Sequence, residues 1–254
     1  MSEETEKTLN NSNVIKNIST DQSEILHWIM QLYNDDKAFE CDITASELKF
    51  YGDRPTYKYS IPEPSILMDV YPMREDVIKI TPFQKLPLED NSVSSIVCDL
   101  PFVCSPKACK SMTNGNKSSN MIAKRFSSWY PMQEGYENIF WWMGECRRCL
   151  KDDGILVWKM QGSVSGGLSH WLSEFSALCA CYNHLYIIDQ FYLQAKARLI
   201  PGASKIKKQQ HARKYTSTFW VFKKDLKCDK KTNILTKLEE CKNSVFEGKV
   251  WEVK

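Results

Sequence analysis

Residues 136–160 read YENIFWWMGECRRCLKDDGILVWKM, and the change of period inside them decides the fold. Tyr136 to Leu150 carries apolar side chains at 3.6-residue spacing, which predicts a helix. Lys151-Asp152-Asp153-Gly154 supplies its stop, since glycine readily takes the left-handed conformation that follows a last helical turn. Ile155 to Met160 is then an unbroken apolar run, the pattern of a strand buried on both faces. A helix feeding directly into such a strand is the repeating unit of an α/β protein.

The pattern extends in both directions. Upstream, Phe39 to Thr44, Ser65 to Val70, Val77 to Ile80 and Val93 to Cys98 are short apolar runs separated by polar turns, hence four more strands. Downstream, Leu168 to Tyr182 has helical spacing, while Leu185 to Leu193 and Ser217 to Phe222 read as strands joined only by a loop. The expected fold is therefore α/β. It has a Rossmann-like, seven-stranded, mostly parallel sheet covered on both faces, with an antiparallel C-terminal edge hairpin. Residues 1–23 are polar without apolar period and are expected to be a disordered tail. The folded domain is expected over 24–224, with 225–254 a Lys-rich extension.

Composition bounds the rest. Hydrophobic residues make up 43% and charged residues 26% of 254, which suits one soluble domain rather than a membrane protein. Ten cysteines without a secretory leader favour a reducing, intracellular setting, nucleus or cytoplasm. Cys146 and Cys149 form a CxxC, and Cys179 and Cys181 a second pair. Both pairs lie in helical patterns without histidines at finger spacing, so no metal is expected. The net charge of +3 is small, but Lys205, Lys207, Lys208, His211, Arg213 and Lys214 crowd one segment. Such a cluster can neutralise phosphates, and equally suits a solvated loop.

In a doubly wound sheet, ligands bind beyond the carboxyl ends of the strands. Asp42, Asp69, Thr81 and Asp99 close four of them. An acid ending the second strand can accept ribose hydroxyls, which suits Asp69. Asp99-Leu100-Pro101-Phe102 follows the fourth strand directly. An amino group conjugated to a base ring is a poor nucleophile because its lone pair is delocalised. A carboxylate and a carbonyl accepting its hydrogens would localise that pair, proline would fix the loop, and an aromatic face would stack the base.

Asp99 to Phe102 resembles the [DN]PP[YFW] motif of class I S-adenosylmethionine-dependent amino-methyltransferases of the N6-adenine/N4-cytosine type. Leu86-Pro87-Leu88-Glu89-Asp90-Asn91-Ser92 is similar to the stretch that leads into their fourth strand. Gln209 to Lys214 (QQHARK), with Ser217 and Phe219 to Phe222, resembles the QxHARK…WVF ending of phage and bacterial DNA-methylase-like proteins. Asp42-Ile43-Thr44, Phe50-Tyr51 and Asp69-Val70-Tyr71-Pro72 follow the same order as in that group.

The resemblance implies S-adenosylmethionine as cofactor, near Asp42 and Thr44 at its methionine part, Asp69 at its ribose and Thr81 close to its adenine. It implies that Asp99 to Phe102 hold the amine, with Lys159 and Gln161 flanking. Lys207, Lys208, His211, Arg213 and Lys214 would meet the substrate. The implied reaction is methylation of a nucleic-acid base amine, adenine N6 foremost, in DNA or RNA, with a protein partner subunit possible and no membrane. Three departures open alternatives. Ala45-Ser46-Glu47-Leu48-Lys49 stands where the group keeps a glycine, Thr81-Pro82 stands where an acid is usual, and Leu100 replaces a proline. The first two favour a methyltransferase-like binding module, and the last resembles the DLP[YF] of guanine-N2 RNA methyltransferases. Met121 to Tyr130 mixes basic and aromatic residues, as a stacking platform or a lid would. Gly162 to Gly167 is expected to be a flexible loop, with His170 opening the helix after it.

Overall fold

The computed structural model describes residues 14–104, 128–129, 131–165, 167–196, 211–224 and 234–246. The chain begins with β1 (Ile18–Ser19) and α1 (Gln22–Tyr33), then β2 (Cys41–Asp42), β3 (Ile66–Asp69), β4 (Ile78–Lys79) and β5 (Val93–Asp99). It continues through α2 (Met132–Cys149), β6 (Leu150–Met160), the pair β7 (Ser163–Ser165) and β8 (Leu168–His170), and α3 (Leu172–Tyr182). It ends with β9 (Leu185–Gln194), β10 (Thr216–Lys224) and α4 (Ile234–Phe246).

The main sheet has the order β4-β3-β2-β5-β6-β10-β9-β1. Strands β4 to β6 run parallel, while β10 is antiparallel to both β6 and β9. This is the Rossmann-like, mostly parallel sheet with an antiparallel hairpin that the apolar runs predict. Strand β6 shows why its sequence alternates no polarity. Ile155 and Val157 join the core under α1, whereas Leu156, Trp158 and Met160 join the core under α2 and α3.

Among the described residues the sheet has eight strands rather than seven, because the polar stretch expected to be a tail supplies one. Ile18 and Ser19 pair in parallel with Tyr192 and Leu193, covering an edge that would otherwise expose unpaired backbone. Two pairs are too few for a sequence period to show. Asp21 then caps α1, accepting from Ser23 N at 2.9 Å. The folded region thus takes in residues before 24.

The stop after α2 also differs in detail. Asp153, not Gly154, takes the positive φ of 63°. A Cβ on Gly154 would lie 2.9 Å from Lys151 O and 3.0 Å from Ser94 O, so glycine is required there by close backbone approach to β5. The Gly162–Gly167 region is not a plain loop. β7 and β8 pair as a hairpin through it, and α3 starts only at Leu172, with His170 in β8. Among the described residues, no helix is long and apolar enough to cross a membrane.

Candidate active site

Parallel strands bring their carboxyl ends to one edge of the sheet, and β2, β5 and β6 are neighbours. Asp42, Asp99 and Lys159 end or nearly end those strands and therefore meet. With Thr44, Ser46 and Phe50 they line a cleft of about 200 Å³. Lys159 Nζ lies 2.9 Å from Asp99 Oδ2 and 4.7 Å from the centre of the Phe50 ring, whose negative face adds to the attraction. Asp99 Oδ1 is buried and has no hydrogen-bond partner among the described residues. Natural structures rarely leave a carboxylate oxygen so, because desolvation without a partner is costly.

Asp42 is 2% exposed and fully engaged. Its Oδ1 accepts from Thr44 N at 2.7 Å and Thr44 Oγ1 at 3.1 Å, and its Oδ2 from the Tyr51 hydroxyl at 2.7 Å. Burial pushes its carboxyl up to about 7, against the pull of those three bonds and helped by the charge of Asp69. Thr44 Oγ1 in turn accepts from Asp99 N.

Asp69 lies one strand further out. Its Oδ2 accepts from Ser46 N at 2.8 Å and its Oδ1 from Tyr71 N at 2.6 Å. Burial pushes it up to about 6, with both backbone bonds opposing. The Ala45–Lys49 turn between these two acids holds Ser46 at φ 47° and Leu48 at φ 53°. Non-glycine side chains take that region at a cost.

The loop after β5 is clamped from behind. Leu100 is 2% exposed and belongs to the core. The Trp129 indole N–H donates to Pro101 O, and Trp129 N donates to Val103 O at 2.9 Å. Trp129 is completely buried, which removes it as a stacking surface for bases. Gly135 gives it room, as a Cβ there would come within 2.8 Å of its ring. Phe102 is half-buried against the α2 core.

The remaining expectations divide. Thr81 is exposed and outside the cleft. Gln161 is 3% exposed and spends its amide N–H groups on Lys214 O and Thr216 O, each at 3.0 Å. It braces the segment before β10. His211 Nε2 sits 2.6 Å from Gly167 O, and Lys214 Nζ lies 5.0 Å over the Trp171 ring. Arg213 is exposed and forms no ion pair with the described residues. Lys205, Lys207 and Lys208, and most of Met121 to Tyr130, lie outside the described residues. Cys146 and Cys149 are buried thiols, and among the described residues no group of three or more His, Cys, Asp or Glu is arranged to hold a metal.

Tyr51, Trp129 and Ser46 take parts that the sequence did not assign to them. Tyr51 directly follows Phe50, but nothing in its spacing says that its hydroxyl turns inward to Asp42.

No family model matches the chain, and no curated protein matches it. Among solved structures, a candidate sarcosine dimethylglycine methyltransferase from Galdieria sulphuraria is 15% identical, over 80% of this chain and 85% of its own, with a TM-score of 0.44. The PvuII cytosine-N4-specific DNA methyltransferase is 18% identical over 54% of this chain and 44% of its own, with a TM-score of 0.33. A SAM-dependent methyltransferase from Methanosarcina mazei is 10% identical over 84% of this chain and 96% of its own, with a TM-score of 0.33. These likenesses are distant.

Proposed function

We propose that the chain is an S-adenosylmethionine-dependent methyltransferase acting on an exocyclic amino group of a nucleic-acid base, adenine N6 foremost. One observation carries the reading: a buried carboxylate oxygen, Asp99 Oδ1, left without a partner beside a clamped Leu100-Pro101-Phe102 loop. An amine hydrogen is the donor it lacks.

The donor set suits the cofactor. Each carboxylate oxygen accepts about two hydrogen bonds, so Asp69 keeps one free lone pair on each oxygen for a ribose diol. The cofactor supplies an electrophilic methyl group. Lys159 engages Asp99 by Oδ2, which leaves Oδ1 as the acceptor for the substrate amine. Asp99 Oδ1 and the Leu100 carbonyl accept the two amine hydrogens, since Pro101 O is already engaged by Trp129. That returns the nitrogen lone pair from the ring to the nucleophile. Phe102 offers a face to the base. The contribution is positioning and electrostatics.

Calorimetry with S-adenosylmethionine and its demethylated product, followed by methyl transfer to oligonucleotides, tests the reading. Asp99→Ala is expected to abolish transfer and leave cofactor affinity within about threefold, because its missing partner is the substrate. Wild-type protein that binds neither ligand at millimolar concentration sinks the enzyme reading.

The turn and the cleft favour a second reading, a binding module without turnover. The Ala45–Lys49 turn has no glycine, Ser46 N is already tied to Asp69, and the cleft is about 200 Å³, below the roughly 300 Å³ at which small-molecule sites begin. The same calorimetry separates the two.

A further inference from the structure

From Ala195 to Tyr215 the sequence holds Lys196, Arg198, Lys205, Lys207, Lys208, Arg213 and Lys214, and no Asp or Glu. The end of this segment lies against the β7–β8 hairpin, with His211 on Gly167 O and Lys214 over Trp171. Gln161 ties it to the end of β6. The hairpin is itself anchored, the Tyr136 hydroxyl meeting His170 Nδ1 at 3.1 Å, and residues 161–173 contain no acid either. Yet its surface is apolar: Leu168 is 65%, Trp171 61% and Val164 42% exposed. Ser163 follows Lys159 by four residues, so the hairpin starts at most about 14 Å along the chain from the Asp99 ion pair.

We infer that this hairpin, with His211 to Lys214 beside it, is the docking surface for an unpaired stretch of nucleic acid, a base stacking on Trp171, its edge packing on Leu168, and phosphates meeting Arg213 and Lys214. The inference rests on the proposed base-amine substrate. Arg213 and Lys214 beside a hairpin without acids suit a polyanion. The flat, exposed Trp171 ring beside those cations suits bases joined by phosphates. An enzyme reaching a ring amine must also hold the strand with that base out of its stack.

The test uses the full chain and fluorescence anisotropy with a labelled single-stranded oligonucleotide, the matching duplex, and vesicles containing phosphatidylserine. Wild type is expected to bind the single strand more tightly than the duplex or the vesicles. Trp171→Ala should weaken single-strand binding by about 5- to 150-fold, the range for losing one stacked base, while leaving the salt slope unchanged. Trp171→Phe should recover most of that loss, which a merely structural role would not require. Arg213→Gln with Lys214→Gln should flatten the slope by up to about 1.4, at about 0.7 per single-strand phosphate contact. Trp171→Ala and Leu168→Ser binding like wild type would overturn the surface, as would a preference for vesicles. Oligonucleotide binding without cofactor binding sinks the methyltransferase reading and leaves the surface standing. Methyl transfer to small amines without oligonucleotide binding does the reverse.

Discussion

The Asp99 backbone N–H donates to Thr44 Oγ1 at 2.7 Å, and the same hydroxyl donates to Asp42 Oδ1. A buried acid on β2 thereby sets the backbone of the acid on β5 through one side chain. Thr44→Val keeps the shape but removes both bonds, leaving Asp99 N and one Asp42 lone pair without that partner. It should cost about 1–3 kcal/mol of stability and lower kcat more than it raises KM, with Thr44→Ser restoring both. Denaturant unfolding and steady-state methyl transfer read the two effects. A Val variant with wild-type kcat would show that Thr44 only packs.

Arg148 explains why the Leu86-Pro87-Leu88-Glu89-Asp90 stretch has its form. Its guanidinium donates to Leu86 O, Leu88 O, Asp90 and Glu145, and Glu145 accepts from Leu86 N at 2.8 Å. One planar fork thus pins the loop before β5 onto α2. Lysine cannot reproduce that set of donors. Arg148→Lys is expected to lose about 2–4 kcal/mol, at the upper end of single-site effects, and to lower the melting temperature by several degrees. Calorimetry showing an unchanged transition would refute the role.

Strands β5, β6 and β10 were legible because each carries a buried apolar stretch, longest in β6, that a sheet covered on both faces requires. Asp42 and Asp99 were legible as strand ends, and Lys159 only through the resemblance. What stayed hidden depends on pairing at a distance. Strand β1 spans two residues and is recruited by the edge of β9. Tyr51 and Trp129 act through one polar atom each, which no period records. Gln161, placed beside the site by the resemblance, braces the Lys214 and Thr216 carbonyls, and Thr81 lies exposed two residues beyond the end of β4. The β7–β8 hairpin was hidden because two three-residue strands, each with serine, joined through Gly166-Gly167 in the sequence, resemble a loop.

Asp42 gives a pH signature. Its carboxyl is raised to about 7 in the fold and would be near 3.9 in the unfolded chain, so between these values the folded state binds more protons. Stability from this group is therefore full below about pH 4 and is lost as pH rises through about 7. Asp69, raised to about 6, acts in the same direction over a narrower window. Glu145 opposes them only at lower pH: despite its burial, Arg148 and the Leu86 N–H hold it below the usual carboxylate range. Between pH 8 and 5 stability should rise by on the order of 2–3 kcal/mol from Asp42. Scanning calorimetry should show the rise in wild type and a flatter profile in Asp42→Asn. An equally steep profile in the variant would assign the effect elsewhere.

Ser46 decides between the two functional readings. It holds φ at 47° in a turn without glycine, and its N–H is spent on Asp69. Ser46→Gly preserves that N–H and removes a side chain lining the cleft. Relief of the left-handed strain and the greater freedom of glycine in the unfolded chain oppose each other, so stability should change by no more than about 1 kcal/mol. The expected gain is in binding. If the crowded turn limits the cofactor, Ser46→Gly should tighten S-adenosylmethionine by about tenfold, measured by calorimetry, with methyl transfer rising at subsaturating cofactor. Should wild type bind no cofactor and the glycine variant bind it, the chain is a module whose cleft was closed by this turn, with Asp99 still poised for an amine. Unchanged affinity in a stably folded variant would place the limit outside the turn and leave Ser46 a tolerated replacement.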